Sequence, residues 1–374
     1  MYYEESIAIK QDGVNAVTID LRSDTITQPT NRMREAMFKA DVGDDVFAED
    51  PTVLKLEGRA AELLGMEAAI FVSSGTMGNL ISVMNHCDER GSEAYCGEES
   101  HVFQHEQGGA AQLASVTLRP LKNHADGSFD LEDLRNSLRK DRHTEPLSKL
   151  VLVENTLNGK IVPKAWMEKV IAFCKQHGLK LHLDGARLWN ASVASGVPMQ
   201  EMVRGFDSVT FCLSKGLGAP VGSILCGSKA FITKARRVRK ALGGGMRQVG
   251  ILAAAGLVAL DDSILELKED HRRALHFSTS INQLGSQAFK VDLEEVQTNM
   301  VFLKICSKSI SSTMFAKRLR EVRNDDNHDS VVVKCLALTN DLVRFVFCYN
   351  VNDEMMLLAL DKIIYVIKSF ENDL

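Results

Sequence analysis

Two side chains of opposite charge stand where apolar strand text stops. Asp184 closes "LKLHLD" in "LKLHLDGAR", and Lys215 follows "DSVTFC" in "DSVTFCLSKG". A carboxylate and an amine meeting at one rim can form a structural ion pair. They can also hold an aromatic aldehyde: the amine condenses with the aldehyde, and the carboxylate keeps a pyridine nitrogen protonated so that the ring accepts electrons. Burial and cationic neighbours lower a lysine pKa and favour the free amine that this second reading needs. "SSGTMGN" (73–79) adds a third element. A strand ends, a glycine turn follows and a helix begins, so free backbone N–H groups and the Thr76 hydroxyl converge on a point suited to phosphate. An ordinary Ser or Thr N-cap produces the same text. Neither nucleotide fingerprint is met, because "GTMGN" is not G-x-G-x-x-G and no G-K-[ST] follows. A phosphate cradle, then a strand-end Asp, then a strand-end Lys, points to pyridoxal phosphate.

Such groups need a frame. Short apolar runs alternate with helical patterns from about residue 66 to 230: "AAIFVSS" (68–74), "KLVLVEN" (149–155), "LKLHLDGAR" (179–187) and "DSVTFCLSKG" (207–216). Continuous apolar strands separated by helices predict an α/β fold with a mostly parallel sheet covered on both faces. Ligands of such sheets bind at the carboxyl ends of the strands. Those ends carry Ser73-Ser74-Gly75-Thr76, Glu154-Asn155-Thr156, Asp184 to Arg187, and Ser214-Lys215-Gly216. Helical text fills about 228–275. After it come "VDLEEVQTNMVFLKI" (291–305), the strand-rich "VVVKCLALTNDLVRFVFC" (331–348) and a closing helix over about 353–370, the pattern of a smaller α+β domain. The expected division is an N-terminal arm (1–19), a large cofactor-binding domain (20–270) and a small C-terminal domain (271–374).

Composition narrows the function classes. The 374 residues carry a net charge of −5, so nothing global attracts nucleic acid or an acidic membrane surface. No apolar run approaches the roughly 20 residues of a membrane helix. The acidic N-terminus fits neither a secretory signal nor an Arg-rich transit peptide. None of the eight cysteines forms a C-x-x-C pair, so reduced thiols in a cytoplasmic protein are expected, with no disulfide framework and no metal. "DVGDDVFAEDP" (41–51) clusters five acids without a calcium-loop pattern and reads as a solvated loop. "KARRVRKALGGGMR" (234–247) reads as a solvated basic helix face.

Seven segments in order and spacing carry a family likeness: "DLRSDTITQPT" (20–30), "GDDVFAEDPTV" (43–53), "SSGTMGN", "ENTLNGK" (154–160), "LHLDGARLWNA" (181–191), "CLSKGLGAPVGS" (212–223) and "GGGMRQVGILAAAG" (243–256). The chain resembles the low-specificity L-threonine aldolases, pyridoxal-phosphate enzymes of the aspartate-aminotransferase fold (fold type I). The resemblance covers nearly everything from Asp20 onward. It implies a seven-stranded large-domain sheet and retro-aldol cleavage of L-threonine, L-allo-threonine and related β-hydroxy amino acids to glycine and an aldehyde. It makes Lys215 the imine-forming lysine, Asp184 the partner of the pyridine nitrogen, and Gly75 and Thr76 the phosphate ligands. It stacks His101 on the ring, where it is also a candidate base, and sets Arg187 near the cofactor and the substrate carboxylate. Ser23 and Arg344 match further carboxylate-binding residues. Arg247, with Lys240 nearby, matches an arginine that reaches the phosphate of a neighbouring subunit, which implies a homo-oligomer, a dimer of dimers, with shared sites.

The chain departs from the family at three places. Leu157 stands for a histidine, Phe47 for a tyrosine, and Phe347-Cys348 for threonine-histidine; His143 matches a further family histidine only with a one-residue shift. All three departures remove polar groups around the substrate hydroxyl. The fold also hosts β-elimination, side-chain transfer and racemisation, and a catalytically impaired cofactor-binding protein is a further alternative.

Overall fold

The structure is a computed structural model that describes residues 16–140, 142–322 and 331–372. Residues 1–15 of the expected N-terminal arm lie outside the described residues. Its strands are β1 (Val17–Asp20), β2 (Ala68–Val72), β3 (Ser92–Gly97), β4 (Thr117–Leu121), β5 (Leu147–Glu154), β6 (Lys180–Asp184), β7 (Ser208–Cys212), β8 (Ser223–Gly227), β9 (Phe289–Val291), β10 (Met300–Ile305), β11 (Val331–Lys334), β12 (Leu336–Thr339) and β13 (Leu342–Val346).

Seven of them form one sheet in the order β2-β8-β7-β6-β5-β3-β4. All neighbours run parallel except at β8, which is antiparallel to both β2 and β7. The reversal follows from the short link between β7 and β8, where a parallel crossover would need a dozen or more residues. Leu213 N–H donates to Gly222 O (3.0 Å), Ala219 N–H to Leu213 O (2.9 Å) and Gly218 N–H to Lys215 O (2.8 Å). Lys215 therefore sits in a closed loop at the sheet rim.

Side chains alternate across the sheet with the strand period of two. Phe71, Val151, Leu183 and Phe211 face a large core built with Leu56, Ala60 and Val258. Ile70, Val72 and Leu225 face Ile81 and Ile232 on the other side. On β6, His182 and Asp184 alternate with the core residues Leu181 and Leu183, so both point to the face covered by the helix Gly75–His86.

The smaller sheet is antiparallel in the order β12-β13-β10-β9, and β1 pairs in parallel with β11 beside it. The 34-residue helix Gly250–Gln283 runs through the expected division at 270/271. Leu267 packs in the large core, whereas Ala274, Phe277 and Ile281 pack in the C-terminal core. Ile19 and Leu21 also join the C-terminal core, so the chain enters the site from that side.

The acidic and basic segments are only partly solvated: Asp41, Glu49, Arg237 and Lys240 are exposed, but other charges turn inward. Asp50, 1% exposed, caps the helix Pro51–Leu64 by accepting from Thr52 and Val53 N–H. It also accepts from Gly43 N–H (3.2 Å) and Gly250 N–H (2.8 Å). Asp45 pairs with Arg239 at 2.6 Å with both side chains nearly enclosed, and Asp44 pairs with Arg247 at 2.8 Å. Arg236 pairs with the buried Glu57. Opposite charges of the two segments pair in contact. Asp50→Ala should cost roughly 2–4 kcal/mol, since four amides lose a charged acceptor. Urea unfolding measures it, and a loss below about 0.5 kcal/mol would contradict the assignment.

Candidate active site

Five strand ends meet at one rim. Glu154 and Asp184 are register partners at the ends of β5 and β6, Lys215 follows β7, His101 follows β3 and Gly75 follows β2. Asp184 is buried; its Oδ1 accepts from Ala186 N–H (3.0 Å) and its Oδ2 from Asn79 Nδ2 (2.7 Å). The same Asn79 nitrogen donates to Glu106 Oε1 at 2.8 Å. His101 Nδ1 lies 2.9 Å from that oxygen, and His101 N–H donates to Glu154 Oε2 at 2.7 Å. The Lys215 ammonium makes no hydrogen bond or ion pair among the described residues, yet its charge acts on Asp24, His101 and Glu154. An amine without a protein partner, whose charge acts on two carboxylates, is not the structural ion pair of the first alternative.

The electrostatics follow. The hydrogen bond to Glu106 raises the His101 pKa against the opposing effect of its burial. Burial raises Glu106, and burial followed by the Asp184 charge pushes Glu154 up to about 8. A carboxyl raised above its unfolded value near 4.3 keeps its proton when folded and loses it when unfolded. Folding then takes up a proton between those two values, and stability falls as pH rises from about 5 to 8. Glu154→Gln should flatten that slope in chemical denaturation of the apoprotein; an unchanged slope would remove Glu154 as its source.

The helix Gly75–His86 begins at the rim. Its N-cap Ser74 accepts from Met77 N–H, and Gly78 N–H donates to Ser74 O. Gly75 and Thr76 N–H have no hydrogen-bond partner among the described residues. A Cβ on Gly75 would meet Cys212 Sγ at 2.9 Å, and one on Gly78 would meet the Thr210 side chain at 2.7 Å. Glycine is what lets this helix start press against β7, just before Lys215.

This donor set fits pyridoxal phosphate. Paired free N–H groups at a helix start suit a dianion. The unpartnered Lys215 amine suits the aldehyde, and a buried carboxylate with acidic neighbours suits a pyridinium. His101, Glu106 and Asp184 also bring ligand atoms within 4.8 Å of one another, a spacing a metal ion could use. The Asn79 amide nitrogen already bridges the two carboxylates there.

The expected substrate residues gather around the segment 20–26. Ser23 caps a short turn by accepting from Thr25 N–H. Arg344 Nη2 donates to Arg22 O at 3.1 Å. Arg187 meets a protein carboxylate: Nε and Nη2 grip Asp24 at 2.8 and 2.7 Å, with Asn299 Nδ2 at 3.4 Å from the same acid. Burial alone would raise the Asp24 carboxyl, but the Arg187 charge and its hydrogen bonds outweigh it and hold the pKa below the ordinary value. Two of the guanidinium nitrogens are thus committed before any ligand binds.

Arg247 lies apart, over the Phe47 ring and half exposed, and neither it nor Lys240 bonds to residues 73–79 among the described residues. His143 is exposed in the turn ahead of β5, at the strand end opposite Glu154. Leu157 is buried against Gly127, Phe347 and Cys348 are buried in or beside the C-terminal core, and Phe47 is 70% exposed. Sequence reasoning missed Asp24, Asn79, Glu106 and His182. Asp24, Asn79 and His182 stand inside quoted segments, and only the two-residue spacing of His182 and Asp184 gives a local signal.

Residues 20–306 match the model of the beta-eliminating lyase family. The chain belongs to the beta-eliminating lyase family. Low-specificity L-threonine aldolase 1 of Arabidopsis thaliana is 44% identical over 344 residues, covering 89% of this chain and 96% of that protein. Low specificity L-threonine aldolase of Escherichia coli (strain K12) is 45% identical over 287 residues, 77% of this chain and 84% of that one. The threonine aldolase structure of Leishmania major superposes with a TM-score of 0.75 over 93% of this chain and 99% of that chain, at 21% identity, a likeness of fold. The family match spans the whole rim, from Asp24 to Lys215. Among the described residues no helix is long and apolar enough to cross a membrane.

Proposed function

We propose that the protein is a pyridoxal-phosphate-dependent L-threonine aldolase of low specificity, cleaving L-threonine, L-allo-threonine and related L-β-hydroxy-α-amino acids to glycine and an aldehyde. The observation that carries this is the Lys215 amine, without a protein partner, beside buried Asp184 and the free N–H groups of Gly75 and Thr76. The relatives named above, at 44% and 45% identity, support it. When bound, pyridoxal phosphate supplies an electron sink for the pair left by Cα–Cβ cleavage.

The chain does the rest. Gly75 and Thr76 N–H would hold the phosphate, Asp184 the pyridine nitrogen and His101 the ring. Ser23 and Arg344 fix the substrate carboxylate, helped by the nitrogen of Arg187 that Asp24 leaves open. Fixing the carboxylate would limit how the substrate's Cα can turn, so these residues would help select the bond that breaks. His101 Nδ1 is tied to Glu106, which leaves Nε2 to take the β-hydroxyl proton. The aldehyde leaves as that proton moves, and Cα gains a proton to give glycine.

A homo-oligomer, a dimer of dimers with shared sites, belongs to the same proposal. Its support is the half-exposed Arg247, which has no bond to its own chain's phosphate cradle among the described residues. A cytoplasmic location is supported by the free cysteines. The match to the beta-eliminating lyase family keeps β-elimination as a second reading. The test is the purified protein with pyridoxal phosphate and each threonine diastereomer. Glycine and acetaldehyde in equal amounts are expected; 2-oxobutanoate and ammonia would favour the second reading.

A further inference from the structure

Behind Asp184 a buried polar chain crosses the layer between the sheet and its covering helices. His86 Nε2 lies 2.7 Å from Ser208 Oγ, which lies 2.8 Å from His182 Nδ1. His182 Nε2 lies 3.1 Å from Asn79 Oδ1, and Asn79 Nδ2 reaches both Asp184 and Glu106. Asn79, His182 and Ser208 are at most 1% exposed.

The hydrogen positions follow from chemistry. A group facing two carboxylate oxygens must be the amide NH2, so Asn79 Oδ1 is an acceptor. His182 Nε2 must then carry a hydrogen. Burial above all pushes His182 down to about 3, so the ring is neutral and its Nδ1 accepts. The Ser208 hydroxyl donates to that Nδ1. Its oxygen receives the Nε2–H of His86, which burial holds neutral by lowering its pKa to about 4. Every hydrogen bond points the same way, toward the carboxylates. The chain is anchored at its far end, where the His86 ring stacks on Phe231 with centroids 4.7 Å apart.

We propose that Asn79, aimed by the one-way chain His86–Ser208–His182, is a positioning residue that holds Asp184 toward the cofactor's pyridine nitrogen and yokes it to Glu106 and His101. One amide thereby sets both contacts of the ring, edge and face. This rests on the pyridoxal phosphate reading above. It assigns no covalent step.

The experiment titrates apoprotein with pyridoxal phosphate, followed by fluorescence, alongside the thermal midpoint of each apoprotein. Asn79→Leu should bind the cofactor at least about tenfold more weakly, the scale of one lost charge-assisted hydrogen bond. His182→Leu breaks the aim from one residue further out and should weaken binding severalfold. His182→Gln can donate to Asn79 and accept from Ser208 through one amide, so it should restore binding to within about threefold of the wild type. That rescue separates positioning from packing, and it decides the matter even where Asn79→Leu folds poorly. Wild-type affinity in Asn79→Leu, or equal weakening in the two His182 variants, overturns the proposal. Failure of the wild type itself to bind pyridoxal phosphate removes the underlying reading instead.

Discussion

Lys215→Ala protein should fold with unchanged stability, bind pyridoxal phosphate without the long-wavelength absorbance of a lysine-joined cofactor, and lose at least about a thousandfold in aldol cleavage. The pairing of these outcomes comes from the geometry. The Lys215 ammonium has no hydrogen-bond or ion-pair partner among the described residues, so truncating it leaves no acceptor stranded. A lysine serving as a structural partner of Asp184 would behave the other way. Its removal would leave a buried carboxylate uncompensated and cost several kcal/mol. Denaturation and absorbance on one variant therefore choose between the two readings of a strand-end Asp and Lys. Persistence of the absorbance band would remove Lys215 from the covalent role.

The second large effect is at Asp24, which no catalytic step uses directly. Asp24→Ala should destabilise the protein by about 3–5 kcal/mol at pH 7, because Arg187 is left buried without its carboxylate. The pair is enclosed, with side-chain exposures of 14% for Arg187 and 0% for Asp24. The pH dependence has a definite sign. The folded Asp24 pKa lies below its ordinary value. Its contribution is thus fully present above the unfolded value near 3.9 and is lost as pH falls through the folded value. The gap between wild type and variant should be constant near neutrality and close below about pH 4. Urea denaturation at pH 7 and pH 4 and below measures it. A loss under about 1 kcal/mol at pH 7, or a gap that widens in acid, would contradict the ion pair. Activity should fall as well, since Arg187 would no longer be held at the substrate carboxylate.

The frame of the site was legible because its signals are local. Apolar runs bounded by polar groups mark β2, β5, β6 and β7, and the polar groups that follow them do meet at one rim. Asp184 and Lys215 stand out because a charge at the end of a core strand needs a reason. Partnership was not legible. Asp24 and Arg187 are 163 positions apart, and Asn79 and Asp184 are 105 apart. No spacing rule joins such pairs, so nothing local singles out Asp24 or Asn79. The acidic loop failed for the same reason: its partners Arg239, Arg247 and the Gly250 amide lie far along the chain. Helical text over 228–275 also hid a break at 242–249 and the extension of the second helix to Gln283, across the expected division between domains. A continuous helix carries no mark of where one core ends and the next begins.

The central claim is a bond between one nitrogen and one cofactor carbon. Borohydride reduction of the pyridoxal-phosphate-loaded protein, followed by proteolysis and mass spectrometry, reads that bond directly. A single reduced phosphopyridoxyl group on the peptide containing "CLSKGLG", at Lys215, is the predicted result. An unmodified Lys215, with the label on another lysine such as Lys240 or on none, would contradict it.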